Sequence, residues 1–200
     1  MNLTMVLRYT LFLCFTGLWS HAAAITQVQH LQDLIDDKSS YILDVLNNKT
    51  IDKPEKNSRI LIAADEIIDF DLMAKLSLGE TGWSQLTAPQ KSKYLSLFQD
   101  RIKNLYLGVL HLYTNEKVRV AKATQTGATR ISVPSYITDG STERQILYKF
   151  YRNKNKDWLI YDIKIEGVSI VQTYRFEFAE FLKKASVSDL IVKLGKDLRD

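Results

Sequence analysis

The chain is short of every residue type that marks a specialised architecture. Its 200 residues include one cysteine, Cys14, so a disulfide scaffold is excluded. Eight glycines and three prolines exclude a collagen-like repeat. Neither sign of charge dominates: 27 Lys and Arg stand against 23 Asp and Glu, a net of +4. The two signs are interleaved along the chain, the pattern of a solvated surface rather than of a nucleic-acid-binding stripe. Long apolar runs are missing as well. The longest near the N-terminus, Tyr9 to Trp19, is roughly 11 residues, against the ~20 that a membrane span needs. An apolar fraction of 46% nevertheless excludes extended disorder.

The N-terminal run reads as an export signal. Met1 to Arg8 carries one positive charge and no acid, the uncharged stretch follows, and Ala22-Ala23-Ala24 offers the small-x-small spacing that signal peptidase accepts. Leu13 before Cys14 is too large for a lipoprotein signal. Cleavage after Ala24 leaves residues 25–200 without cysteine, in a periplasm-like setting where the core alone must hold the fold. No repeat, low-complexity run or Pro/Gly linker divides residues 25–200, which are expected to form one domain.

The first half of that domain is patterned for helices. Val28, Leu31, Leu34, Ile35, Ile42, Val45 and Leu46 form an apolar stripe, with a possible interruption at Asp36–Ser40. A polar loop from Asn47 to Pro54 precedes a helix over Ile60–Ile68, and a short third helix spans Asp71–Leu78, stopped by Gly79. Thr87-Ala88-Pro89-Gln90 is a capping box that opens a long helix carrying Tyr94, Phe98, Ile102, Leu105, Val109 and Leu112. The period then changes to two. Strands are predicted around Val118–Val120, Ile131–Ile137, Ile146–Phe150 and Leu159–Ile165, joined by turn-like segments such as Asp139-Gly140. Ser169 with Gln172, and Ser186 with Asp189, open two closing helices. The expected fold is α+β: N-terminal helices, a four-stranded antiparallel twisted sheet with one apolar face, and C-terminal helices over it.

Chemistry-bearing motifs are scarce. His30 and His111 are about 80 residues apart and near no cysteine, so metal-ligand spacing is absent. Phosphate-cradling glycine loops and nucleophile elbows are also missing. The inward positions expected on the sheet, Tyr148, Tyr161, Ile163 and Ile165, offer no carboxylate for general acid or base work, which argues against an enzyme. Asp162, Lys164 and Glu166 alternate on the opposite, solvated face, and Arg175 is expected to pair with Asp162 or Glu166. Composition leaves open whether the inner face is a packed core or the wall of a pocket.

Two segments carry more information. One runs Ile68-Asp69-Phe70-Asp71-Leu72-Met73-Ala74-Lys75-Leu76-Ser77-Leu78-Gly79, then Trp83 and Leu86-Thr87-Ala88-Pro89-Gln90. The other is Ile165-Glu166-Gly167-Val168-Ser169-Ile170-Val171-Gln172-Thr173-Tyr174-Arg175, then Phe178. Together they closely resemble the MlaC family of periplasmic phospholipid-binding proteins, also called toluene-tolerance proteins. Its pattern runs D-F-x-x-M, L-G-x-x-W, L-T-x-x-Q and, late in the chain, E-G-V-S-hydrophobic-V before N-Y-R. Order and spacing agree over roughly residues 26–198, with one extra residue between Gly79 and Trp83 and Thr173 in place of the usual Asn.

The resemblance implies a nuclear-transport-factor-like cone whose apolar pocket holds the acyl chains of a phospholipid. It implies no catalytic residue, metal or cofactor. It also implies two partners, an inner-membrane ABC transporter with an MCE-domain ring and an outer-membrane lipoprotein–porin complex. The role would be maintenance of outer-membrane lipid asymmetry. A hopanoid or other apolar-lipid cargo, or a non-lipid interaction subunit, are the alternatives. The residues expected to touch lipid are Leu105, Tyr106, Val109, Val133, Tyr148, Tyr161, Ile163, Ile165, Val168, Val171 and Tyr174. Gly167 is expected to supply the bend before the last of these, and Trp83 and Phe70 to be structural.

Overall fold

The computed structural model describes residues 18–110 and 116–198. Most of the predicted export segment, along with His111 and Leu112, lies outside the described residues.

Helix α1 (Leu18–Asn47) is continuous, with no break at Asp36–Ser40. Those residues are poor helix formers, but Leu31, Ile35 and Val45 are buried on either side of them. Packing of one apolar stripe outweighs a few tenths of a kcal/mol of local propensity per residue. Within the segment Lys38 pairs with Glu66. Helix α2 (Lys53–Asp65) starts earlier than its apolar pattern, because Asp52 caps it by accepting from the Glu55 N–H at 2.9 Å. Pro54 belongs to its first turn rather than to the loop, a position where the missing N–H costs nothing.

Helix α3 (Phe70–Gln85) is capped by Asp69 and kinks at Gly79, whose φ of 76° and ψ of 166° are closed to other residues. The predicted stop is therefore a bend, after which the helix resumes. Helix α4 (Ala88–Leu110) opens on half of the expected capping box: the Thr87 N–H donates to Gln90 Oε1 at 2.9 Å.

The sheet has six strands rather than four: β1 (Lys117–Val120), β2 (Thr124–Gly127), β3 (Arg130–Thr138), β4 (Glu143–Arg152), β5 (Trp158–Ile165) and β6 (Val168–Ser169). The order is β1-β3-β4-β5-β6, all antiparallel, with β2 pairing the other half of β3. The two additional strands are short, one polar and one of two residues, so neither leaves a period-2 signal. Helices α5 (Ile170–Leu182) and α6 (Val187–Asp197) close the fold, and α6 carries the complete Ser186–Asp189 capping box.

Apolar burial is split in two. One cluster joins α3, α4, α5 and α6 around Met73, Tyr94, Phe98, Phe178, Leu190 and Leu194. The other lies between α1 and the inner sheet face, around Leu31, Ile35, Ile131, Val133, Phe150 and Ile160.

Candidate functional site

A cavity opens between the two clusters, with about 750 Å³ of space free of protein atoms when its open mouth is included. Its ceiling is helical: Leu61 and Ala64 of α2, Phe70 and Met73 of α3, and Ile102, Leu105, Tyr106 and Leu110 of α4. Its floor is the inner sheet face, with Ile137, Ile146, Tyr148, Ile163 and Ile165, closed at one end by Ile170 of α5. Two smaller cavities of about 490 and 380 Å³ lie beneath α1.

The strand register explains which side chains reach the floor. Val133 faces Tyr148 and Ser135 faces Ile146 across β3 and β4, and Tyr148 faces Ile163 on β5. Between Lys149 and Phe150 the pairing jumps from Asp162 to Ile160, so Tyr161 is an extra, bulged residue. The bulge lets Ile160 and Ile163 both point inward and turns Tyr161 to the outer face. There it stacks edge-on to Tyr151 at 6.0 Å, beneath Arg130 and Lys149 at 4.9 and 5.1 Å. Simple alternation placed it on the wrong side.

The other residues singled out in the sequence fall into three groups. Leu105, Tyr106, Tyr148, Ile163 and Ile165 come together on the cavity wall. Val133 is fully buried in the sheet core, and Val171 and Tyr174 in the helical core, where Arg101 donates to the Tyr174 hydroxyl at 3.2 Å. Val168 is 61% exposed and lines a shallow groove beside the mouth, which Tyr174 also borders. The side chain of Val109 lies outside what the structure describes. Phe70, expected to be structural, lines the cavity, as do Ile137 and Ile146. The period-2 pattern put both isoleucines on the right face but said nothing of their depth along it.

Asp162 is not solvated. It is 3% exposed and anchors the start of α5. Both carboxylate oxygens accept from the Ser169 hydroxyl at 2.9 Å, one accepts from the Val171 N–H at 3.3 Å, and Lys149 Nζ is 3.6 Å away. Ser169 in turn accepts from the Gln172 N–H at 3.0 Å, capping the helix. The tight β5–β6 turn that allows this has positive φ at Glu166 (50°) and Gly167 (81°), as a type I′ hairpin turn requires. Arg175 does not pair with Asp162 or Glu166. Its guanidinium lies 3.8 Å from where a Cβ on Gly79 would sit, against the kink of α3.

The cavity wall carries little that ionises. Lys103 at the rim binds Asp65 at 2.6 Å and sits over the Phe70 ring at 5.3 Å. Burial pushes the hydroxyls of Tyr106 and Tyr148 well above the usual tyrosine range, so both are neutral at physiological pH. At the edge of the second cavity, desolvation raises the Glu116 carboxyl, against the opposing pull of Arg144. Among the described residues no group of three His, Cys, Asp or Glu could hold a metal ion. Such a chamber can exclude water from apolar matter and offers it no reactive group.

A family model described as MlaC protein matches residues 36–196. The chain belongs to the MlaC family. Among its relatives is the intermembrane phospholipid transport system binding protein MlaC of Haemophilus influenzae, 24% identical over 139 residues. That alignment takes in 64% of this chain and spans 65% of the relative's length. Among solved structures, a phospholipid-binding protein from Ralstonia solanacearum, in complex with a phospholipid, superposes with a TM-score of 0.72 at 21% identity. That superposition covers 84% of this chain and 98% of the other. The α+β fold, with helices over one face of an antiparallel sheet, is thus shared with that structure. No helix among the described residues is long and apolar enough to cross a membrane.

Proposed function

We propose that this chain is a phospholipid carrier of the periplasm. It is exported by a signal cleaved near Ala24 and binds lipid through a single domain spanning residues 25–200. The observation that carries the reading is the apolar chamber between the two cores, walled by Leu105, Tyr106, Tyr148, Ile163 and Ile165 and without a carboxylate. Each methylene removed from water is worth about 0.8 kcal/mol, so two acyl chains of ~30 methylenes represent roughly 20–25 kcal/mol. A lipid crossing an aqueous gap alone meets that whole cost. A protein offering an equivalent dry cavity removes most of it and needs no reactive group, so the protein acts as a carrier and not as an enzyme.

In this reading the acyl chains lie in the chamber and the head group stays at the mouth, near Lys103 and the exposed Val168. Lipid passes between an inner-membrane ABC transporter bearing an MCE-domain ring and an outer-membrane lipoprotein–porin complex, maintaining outer-membrane asymmetry. The test is native mass spectrometry of the gently purified mature chain. The expected result is a bound mass matching a two-chain phospholipid. A chain that carries no lipid and takes none from vesicles would overturn the reading.

A further inference from the structure

The three cavities are not independent spaces. Tyr106 and Tyr148 line all of them: the large chamber under α2–α4, the second chamber under the C-terminal half of α1, and the third between α1 and α2. The two rings therefore form the wall at which the interior branches. Behind that wall Ile35, Ile42, Leu43 and Leu46 of α1 continue the apolar lining, with Lys38, Ser39 and Glu116 as its polar members.

The two rings are held differently from the other interior tyrosines. The Tyr94 hydroxyl donates to the Ala74 carbonyl at 2.9 Å, and Tyr174 accepts from Arg101. Among the described residues, no hydrogen bond fixes the Tyr106 hydroxyl. The Tyr148 hydroxyl has one polar neighbour, the fully buried Ser135. A ring without a polar tether, such as that of Tyr106, can change rotamer within a cavity that has room for it.

We infer that Tyr106 and Tyr148 are the specificity-determining wall of the chamber, setting how much acyl chain it admits by dividing the large cavity from the two behind it. This rests on the carrier reading and deepens it. With the rings in place, a chain that outgrows the large chamber must displace them to reach the α1 side. Removing a ring joins the spaces and gives the longer chain an apolar continuation.

The test is competitive loading from vesicles that contain phosphatidylglycerols of medium and of very long acyl chains in equal amounts. Bound species are read by native mass spectrometry for the wild type, Tyr148→Ala, Tyr106→Ala and Tyr148→Phe. Each further methylene accommodated favours the long-chain lipid by about fourfold, from ~0.8 kcal/mol apiece. The expected result is a long-to-short ratio raised at least about fourfold in either alanine variant and unchanged in Tyr148→Phe, which keeps the ring. Cooperative melting certifies each variant as folded, and Tyr106→Ala decides if Tyr148→Ala fails to fold. If both alanine variants unfold, the same comparison is made with Tyr148→Leu. Lipid-loaded wild type with an unaltered ratio in a folded ring-deleted variant would overturn this inference alone. Wild type without any lipid would overturn the carrier reading beneath it.

Discussion

Ile165→Glu separates a pocket wall from a core. Ile165 is half-buried, lies on the floor of the large cavity and also borders the groove beside its mouth. A glutamate there does not have to be buried in the empty protein, because its carboxylate can point toward the mouth and keep its water. The loaded protein has no such freedom. The carboxylate and its first hydration waters exclude about three to four methylenes of an acyl chain, each worth ~0.8 kcal/mol. The expected loss is about 3 kcal/mol, or roughly a hundredfold in lipid affinity. The assay pairs lipid occupancy by native mass spectrometry with thermal unfolding. The predicted signature is near-complete loss of bound lipid while the melt remains cooperative. A folded Ile165→Glu protein with wild-type lipid content would refute the assignment of this wall.

Three further outcomes follow from the same structure. Val171→Asp places a carboxylate among Phe98, Tyr174 and Phe178 in the helical core, so it should cost about 3–5 kcal/mol and unfold the chain rather than empty it; denaturant titration reads this directly. Ser169→Ala removes both the α5 cap and the hydroxyl bonded to the buried Asp162. A loss of about 2–3 kcal/mol is expected, with partial rescue by Ser169→Thr, measured by chemical denaturation. Burial first, and then the bond to Asp69, push the Tyr151 hydroxyl from 10.0 to about 12. Its contribution to stability is therefore full below pH 10.0 and disappears as pH rises through about 12. In alkaline melts Tyr151→Phe should flatten the fall in midpoint across that window.

Helix faces and strand parity were readable wherever packing repeats regularly. Tyr94, Phe98 and Ile102 are buried on one side of α4 as their spacing requires, and the Ser186–Asp189 box forms as written. Two places escaped for local reasons. The bulge at Tyr161 depends on where the β4–β5 ladder slips, a property of two strands together, so one strand's alternation could not show it. Asp162 escaped because its burial depends on the chain turning back on itself: the turn at Glu166-Gly167 brings Ser169 and the first turn of α5 over it. The cavity itself was only half legible. Period-2 patterning identifies an inner face, and both Val133 and Ile137 lie on it. Only the distance between the sheet and the helices decides that Val133 is packed solid while Ile137 borders open space.

That spacing also bears on how a carrier can let go. The largest fully buried side chains, Tyr94, Phe98, Phe150 and Phe178 among them, belong to the two flanking clusters and not to the floor of the chamber. Ile137, Ile146 and Ile165 on the chamber floor are half-buried by protein alone. These three isoleucines of the floor thus lie outside the buried cores, whereas Met73, Ile102 and Ile163 belong to both core and chamber wall. On the carrier reading proposed above, removing the cargo exposes apolar wall while the buried clusters on either side stay packed, so an empty chamber need not unfold. Filling the chamber exchanges one apolar surrounding for another, which makes the free energy of a chain in the protein similar to its value in a bilayer. On the same carrier reading, a protein built this way would equilibrate lipid with whichever surface it touches. Net direction must then come from energy supplied elsewhere, because differential affinity alone can shift such an exchange only by the small difference between two nearly equivalent apolar environments.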